Sequence, residues 1–177
     1  KLDADTGVAQ GDATFAGISF TYKLISDAPV YWKGQTYQPG QIVASEAVSA
    51  TSGLALVNEL PYATYEVREK VDANSVYHLN ADWKAVLTIR EDGYTVDIGT
   101  LPCEDKITRG GSKLQKVDAD TLKPVPSGNG TLKGAVFAIY NASAAPVKVN
   151  GQIWPSVAGV PLEQLDSRTP MFTMVTD

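Results

Sequence analysis

The sequence predicts an all-β protein built from a repeated unit. Three observations carry this. Apolar and polar residues alternate with period two along most of the chain, the pattern of strands with one buried face. Fifteen glycines and ten prolines among 177 residues supply many turns. The opening six residues, KLDADT (Lys1–Thr6), return almost unchanged as KVDADT (Lys116–Thr121), and a repeated segment means a repeated structural unit.

The elements follow in order. GISFTYKL (residues 17–24) places Ile18, Phe20, Tyr22 and Leu24 on one face. TYEVREK (64–70) does the same with Tyr65, Val67 and Glu69. WKAVLTIRE (83–91) and YTVDIG (94–99) flank Glu91-Asp92-Gly93, a hairpin turn signal. AVFAIYN (135–141) and APVKVNGQIW (145–154) read as strands, the second bent at Asn150-Gly151. The best helical candidate is VPLEQLDS (160–167), which is short and opens with Pro161.

The repeat extends beyond its first six residues. AQGDATFAGISF aligns with PSGNGTLKGAVF, pairing Gly17 with Gly134 and Phe20 with Phe137. APVYWKGQTY (28–37) then aligns with APVKVNGQIW at the same offset. The polar stretch CEDKITRGGS (103–112) marks the boundary. Residues 1–111 form one predicted domain, and residues 112–177 the N-terminal part of a second, which lacks a counterpart of residues 53–69 and of the strands after them.

Composition bounds the function. Apolar residues make up 44% and charged residues 20%, as in a folded soluble domain. The net charge of −5 argues against a nucleic-acid partner, whose phosphates need a basic face. With Cys103 as the sole cysteine, no intrachain disulfide can form; a lone cysteine reads as a small, half-buried hydrophobe. No apolar run is long enough to span a membrane. The chain reads as a segment of a longer protein, without a signal peptide at its start.

The combination of KVDADT, KGAVFAIYN and KVNGQIW, with LPYATYEVRE (60–69) in the first unit, resembles the collagen-adhesin B-type, or SpaA-like, domains that Gram-positive surface adhesins and pilins string in tandem. The resemblance covers most of residues 1–70 and 113–154 and implies tandem transthyretin-like (Ig-like) antiparallel β-sandwiches, the second incomplete. It implies a structural and adhesive module on a bacterial cell wall, outside the cell, with no cofactor, no metal and no activity on an external substrate. Many members of the family form a spontaneous crosslink: a buried lysine amine attacks the side-chain carbonyl of an Asn or Asp on the last strand, assisted by a buried Glu.

Carried to this chain, Glu69 matches the assisting glutamate. Inward-facing glutamates are rare without a reason, though a strand-end Glu69 paired with Arg68 or Lys70 is the alternative. Lys113 occupies the family's reactive position in the second unit; in the first, Lys1 is the candidate, although a lysine at the chain's first residue also reads as solvated. Asp105 is the candidate acceptor, and the acidic run around it also reads as an exposed linker.

A second function class is a binding module for a carbohydrate or a host matrix protein, with Tyr31, Trp32, Tyr37 and Trp154 as its aromatic platform. His78 has no nucleophile motif beside it and reads as a surface residue. The two Asp-Ala-Asp-Thr turns lack the glycine and distal glutamate of a calcium loop and read as turns closed by side-chain hydrogen bonds. Asn129 and Asn141 sit in formal glycosylation sequons.

Overall fold

A computed structural model describes residues 1–93 and 102–177; the predicted strand at 94–99 lies outside the described residues. The chain is all-β and divides into two compact units, Lys1–Thr108 and Arg109–Asp177.

The first unit is built on a four-stranded antiparallel sheet. Its order is β5 (Ile42–Ala47), β2 (Ile18–Leu24), β6 (Thr64–Val71), β7 (Lys84–Thr88). The alternation read from the sequence becomes the buried face: Ile18, Phe20, Tyr22 and Leu24 from β2, Tyr65, Val67 and Glu69 from β6, Ala85 and Leu87 from β7. Antiparallel pairing sets Phe20 opposite Glu69 and Tyr22 opposite Val67. β5 has no clean alternation in sequence. It pairs with β2 through a register irregularity between Tyr22 and Lys23.

A two-stranded parallel pair, β1 (Leu2–Asp3) with β8 (Glu104–Asp105), joins the first residues to the segment before the boundary. Leu2 N–H donates to the Cys103 carbonyl and Ala4 N–H to that of Asp105. Such a contact closes about a hundred residues of loop, so it depends on the core already formed rather than on local propensity. A short hairpin, β3 (Val30–Trp32) and β4 (Gln35–Tyr37), turns at Lys33-Gly34 with both residues at positive φ.

The second unit repeats these devices. β9 (Val136–Ile139) stands where the repeat places β2, and the hairpin β10 (Val147–Val149) and β11 (Gln152–Trp154) turns at Asn150-Gly151, again at positive φ. β9 pairs with β12 (Phe172–Val175). The predicted helix at 160–167 is instead a 3-10 helix, Leu162–Ser167. No side chain caps it and none of its residues is buried, so no apolar face repays an α-helix. No helix of the described residues is long and apolar enough to cross a membrane.

The duplicated DADT folds the same way twice. Asp3 Oδ1 accepts from the N–H groups of Asp5 and Thr6 and from the Thr6 hydroxyl. Asp118 Oδ1 accepts from Asp120, Thr121 and the Thr121 hydroxyl. These are aspartate turns in which the side chain replaces a backbone acceptor, as the sequence predicts. Asp3 also accepts both of its bonds from Gln10 at 2.9 and 3.0 Å and is fully buried. Asn141 is the buried polar residue of the second unit: its amide donates to the Ala145 and Trp154 carbonyls, so that sequon asparagine is committed internally.

Replacing Asp3 by alanine removes the acceptor that the Gln10 side-chain amide and two backbone N–H groups share. Asp3→Ala is expected to cost about 2–4 kcal/mol of stability by urea denaturation, whereas Asp118→Ala, at an exposed turn, shifts the unfolding transition less.

Candidate functional site

Three strands deliver one cluster. Period-two geometry turns Asp3 inward from β1, with Lys1 just before that strand, Asp105 inward from β8, with Cys103 just before it, and Glu69 inward from β6. The Lys1 side chain is fully buried there, with Nζ 2.8 Å from Glu69 Oε1 and 2.5 Å from Asp105 Oδ1. Both carboxylate side chains are likewise shut off from solvent. The solvated readings of Lys1 and Asp105 are therefore overturned by the parallel β1–β8 pairing, which carries both residues inside. Glu69 is bound to Lys1, while Arg68 pairs with Glu66 on the outer face.

The site has further donors and acceptors. The Asn80 backbone N–H reaches Asp105 Oδ1 at 3.1 Å and Glu69 Oε2 at 3.4 Å. Its side-chain amide donates to the Glu104 carbonyl at 3.1 Å, which fastens the loop beside β8. Lys1 Nζ lies 3.7 Å from Cys103 Sγ. Among the described residues, Asp105 Oδ2 is buried with no hydrogen-bond partner.

Charge decides the protonation. Two carboxylates and one ammonium share a dry pocket, so one carboxyl does better as the neutral acid. Burial raises the Asp105 carboxyl to about 6, with the Lys1 ammonium pulling it down and the Glu69 charge adding to the rise. Asp3, its neighbour across the parallel pair, moves the other way. Burial opposes its ionisation, but bonds from Gln10, Asp5 and Thr6 outweigh that and hold it below its ordinary value. Two aspartates in register are thus set apart, one held as an anion and one shifted toward its acid form. Burial, then the nearby Glu69 charge, pushes the Cys103 thiol up to about 12.

Among the described residues, Glu69, Cys103 and Asp105 are also a set whose donor atoms lie within 4.8 Å of one another, a spacing compatible with a metal ion. The Lys1 ammonium already supplies the positive charge between the two carboxylates.

Lys113 is exposed and belongs to the second unit. The repeat equates Lys1 with Lys116, which is also exposed, its Nζ donating to the Val117 carbonyl. The aromatic candidates do not form one platform within a unit. Tyr31 is 70% exposed, while Trp32 and Tyr37 pack against the core of the first unit; Trp154 lies in the second, at the position that matches Tyr37. His78 is exposed, near the Thr108 hydroxyl. Sequence reasoning did not single out Cys103 or Asn80 for this site. Cys103 was legible as the residue two before Asp105, on the same strand face; a backbone N–H such as that of Asn80 leaves no signal in sequence.

Gly53 seats the lysine. The Lys1 nitrogen donates to the Gly53 carbonyl at 2.6 Å. Gly53 has φ +70°, and a Cβ there would lie 2.1 Å from the Lys1 carbonyl oxygen. Comparison with protein-family models, curated proteins and solved structures finds no match for this chain.

Gly53→Ala must therefore push β1 off its seat. The expected result is a loss of about 2–4 kcal/mol and faster amide hydrogen exchange at Leu2 and Ala4, read by NMR or mass spectrometry.

Proposed function

We propose that the first unit is a self-crosslinking structural module of a bacterial cell-surface protein, in which Lys1 and Asp105 condense to an isopeptide bond with Glu69 as proton carrier. The observation that carries this reading is the fully buried Lys1 Nζ held at 2.8 and 2.5 Å between two carboxyl groups, one of them raised toward its acid form. The repeat and its resemblance to tandem surface-protein domains supply the cellular setting.

The chemistry balances as a condensation. Glu69 takes a proton from the Lys1 ammonium and leaves an amine lone pair. The Nζ–Cγ bond forms at Asp105 as its carbonyl oxygen gathers charge, with the Asn80 N–H placed to stabilise it. A proton then passes to the departing oxygen, the Cγ–O bond breaks and one water leaves. Glu69 ends protonated and the amide neutral. Two buried charges disappear, and with them the cost of holding ions in a medium of low dielectric. Fixed contact distances replace a bimolecular encounter by an intramolecular one.

Intact mass tests the reading. The 177-residue chain is expected to weigh one water less than its sequence, and digestion is expected to yield a branched peptide joining Lys1 to Asp105. Glu69→Gln is expected to keep the full mass. A crosslink spanning about a hundred residues should add about 4–5 kcal/mol by the loop-entropy rule for covalent bridges. A wild-type chain of full mass, with ordinary mobility on a denaturing gel, overturns the proposal.

The pH dependence has a definite sign. Burial lifts the Asp105 carboxyl to about 6, so its acid form, the electrophile, is present below that value and depleted above it. Crosslinking of newly made chain is expected to be faster near pH 5 than near pH 8, followed as the water-loss species against time.

A second reading, a binding module for a carbohydrate or host protein, is favoured by a groove of about 390 Å³ beside the β3–β4 hairpin. Trp32, Lys33, Glu46 and Asn58 line it, and the Trp32 indole N–H is buried with no acceptor among the described residues. A glycan array and a collagen and fibronectin panel test that reading; binding lost in Trp32→Ala with the fold intact supports it.

A further inference from the structure

The Lys1 ammonium has three N–H bonds and no acceptor capacity. It has three neighbours able to receive them: Glu69 Oε1 at 2.8 Å, Asp105 Oδ1 at 2.5 Å and Cys103 Sγ at 3.7 Å. Two are the proton carrier Glu69 and the electrophile Asp105. The third takes no part in the condensation as written.

Cys103 is 2% exposed, and its strand position is fixed because Leu2 N–H bonds to its carbonyl. The same bond ties the Cys103 backbone to the residue after Lys1, so sulfur and amine are held together by the β1–β8 register. A thiol kept protonated by burial is neither a competing nucleophile nor a third anion. It is a neutral, weak acceptor.

We infer that Cys103 is a positioning residue for the crosslink: its sulfur holds the third N–H of Lys1 and fixes the rotation about Cε–Nζ. The inference rests on the condensation proposed above. Once Glu69 removes one proton, the amine carries two N–H bonds and a lone pair. Attack requires the lone pair to face Asp105 Cγ. With one N–H tethered to sulfur, the lone pair and the remaining N–H are confined to the two positions that face Glu69 and Asp105, and inversion at nitrogen carries the lone pair from the Glu69 side, where the proton left, to Asp105 Cγ. Without the tether the amine turns among three equivalent orientations, most of them unproductive.

The test is the rate at which newly made full-length chain loses one water, followed by intact mass during cell-free synthesis. Cys103→Ala is expected to slow the reaction roughly fivefold, the worth of one hydrogen bond. Cys103→Ser, whose hydroxyl oxygen accepts the same N–H, should restore most of the rate. Cys103→Val fills the space without an acceptor and should not. Urea midpoints of the three substitutions in a Glu69→Gln background separate slow chemistry from poor folding. An alanine variant that reacts at the wild-type rate, or a valine variant that matches the serine one, overturns the inference and leaves the condensation standing. A wild-type chain that never loses water overturns both.

Discussion

The first unit turns on one ammonium group shut away from water between two carboxyls. A buried ion pair is weak evidence for stability, because desolvation consumes most of its Coulomb energy. Its presence in so small a core is therefore informative. Lys1 reaches Glu69 and Asp105 with every side chain of the trio inaccessible to solvent, and apolar residues in these positions would fill the space at less cost. Such an arrangement is the starting state that the proposed condensation requires, since that reaction would extinguish the buried charges.

The surrounding architecture serves that contact. β6 holds Glu69 on a face otherwise made of Phe20, Tyr65 and Val67. The Asp3 turn locks β1 beyond the lysine with a set of bonds that tolerate no proton on the carboxylate, so Asp3 stays charged while burial shifts Asp105, next to it, toward its acid form. Gly53 lets the backbone of a distant loop lie directly against residue 1. Each device restricts the lysine or sets the charge of its surroundings.

The parts of this that depend on local pattern were legible in the sequence. Alternation located β2, β6 and β9, the bend at Asn150-Gly151 marked one hairpin and the repeat carried it to residues 28–37, and the inward phase of Glu69 followed from Tyr65 and Val67. The parts that depend on distant pairing were not. Residues Cys103 to Asp105 carry too few positions for a period to appear, and their burial comes from a parallel partner at the other end of the unit. β5 was missed because its Ala-Ser-Glu-Ala run has neither bulk nor alternation and is held by β2 alone. Lys113 attracted attention through a family's spacing; the repeat itself, read from the observed position of Lys1, points to Lys116.

The parallel sense of β1 and β8 has a mechanical side. A pull applied through the chain at both ends of the unit draws β1 toward its start and β8 toward its end. For strands that run the same way, those are opposite directions along one shared axis. The load is then pure shear, and it falls on a ladder only two residues long. Such a ladder yields under modest tension. A covalent bond from Lys1 to Asp105 would lie on that same line of force and carry the tension past the sheet, leaving the hydrophobic core of the unit unstretched.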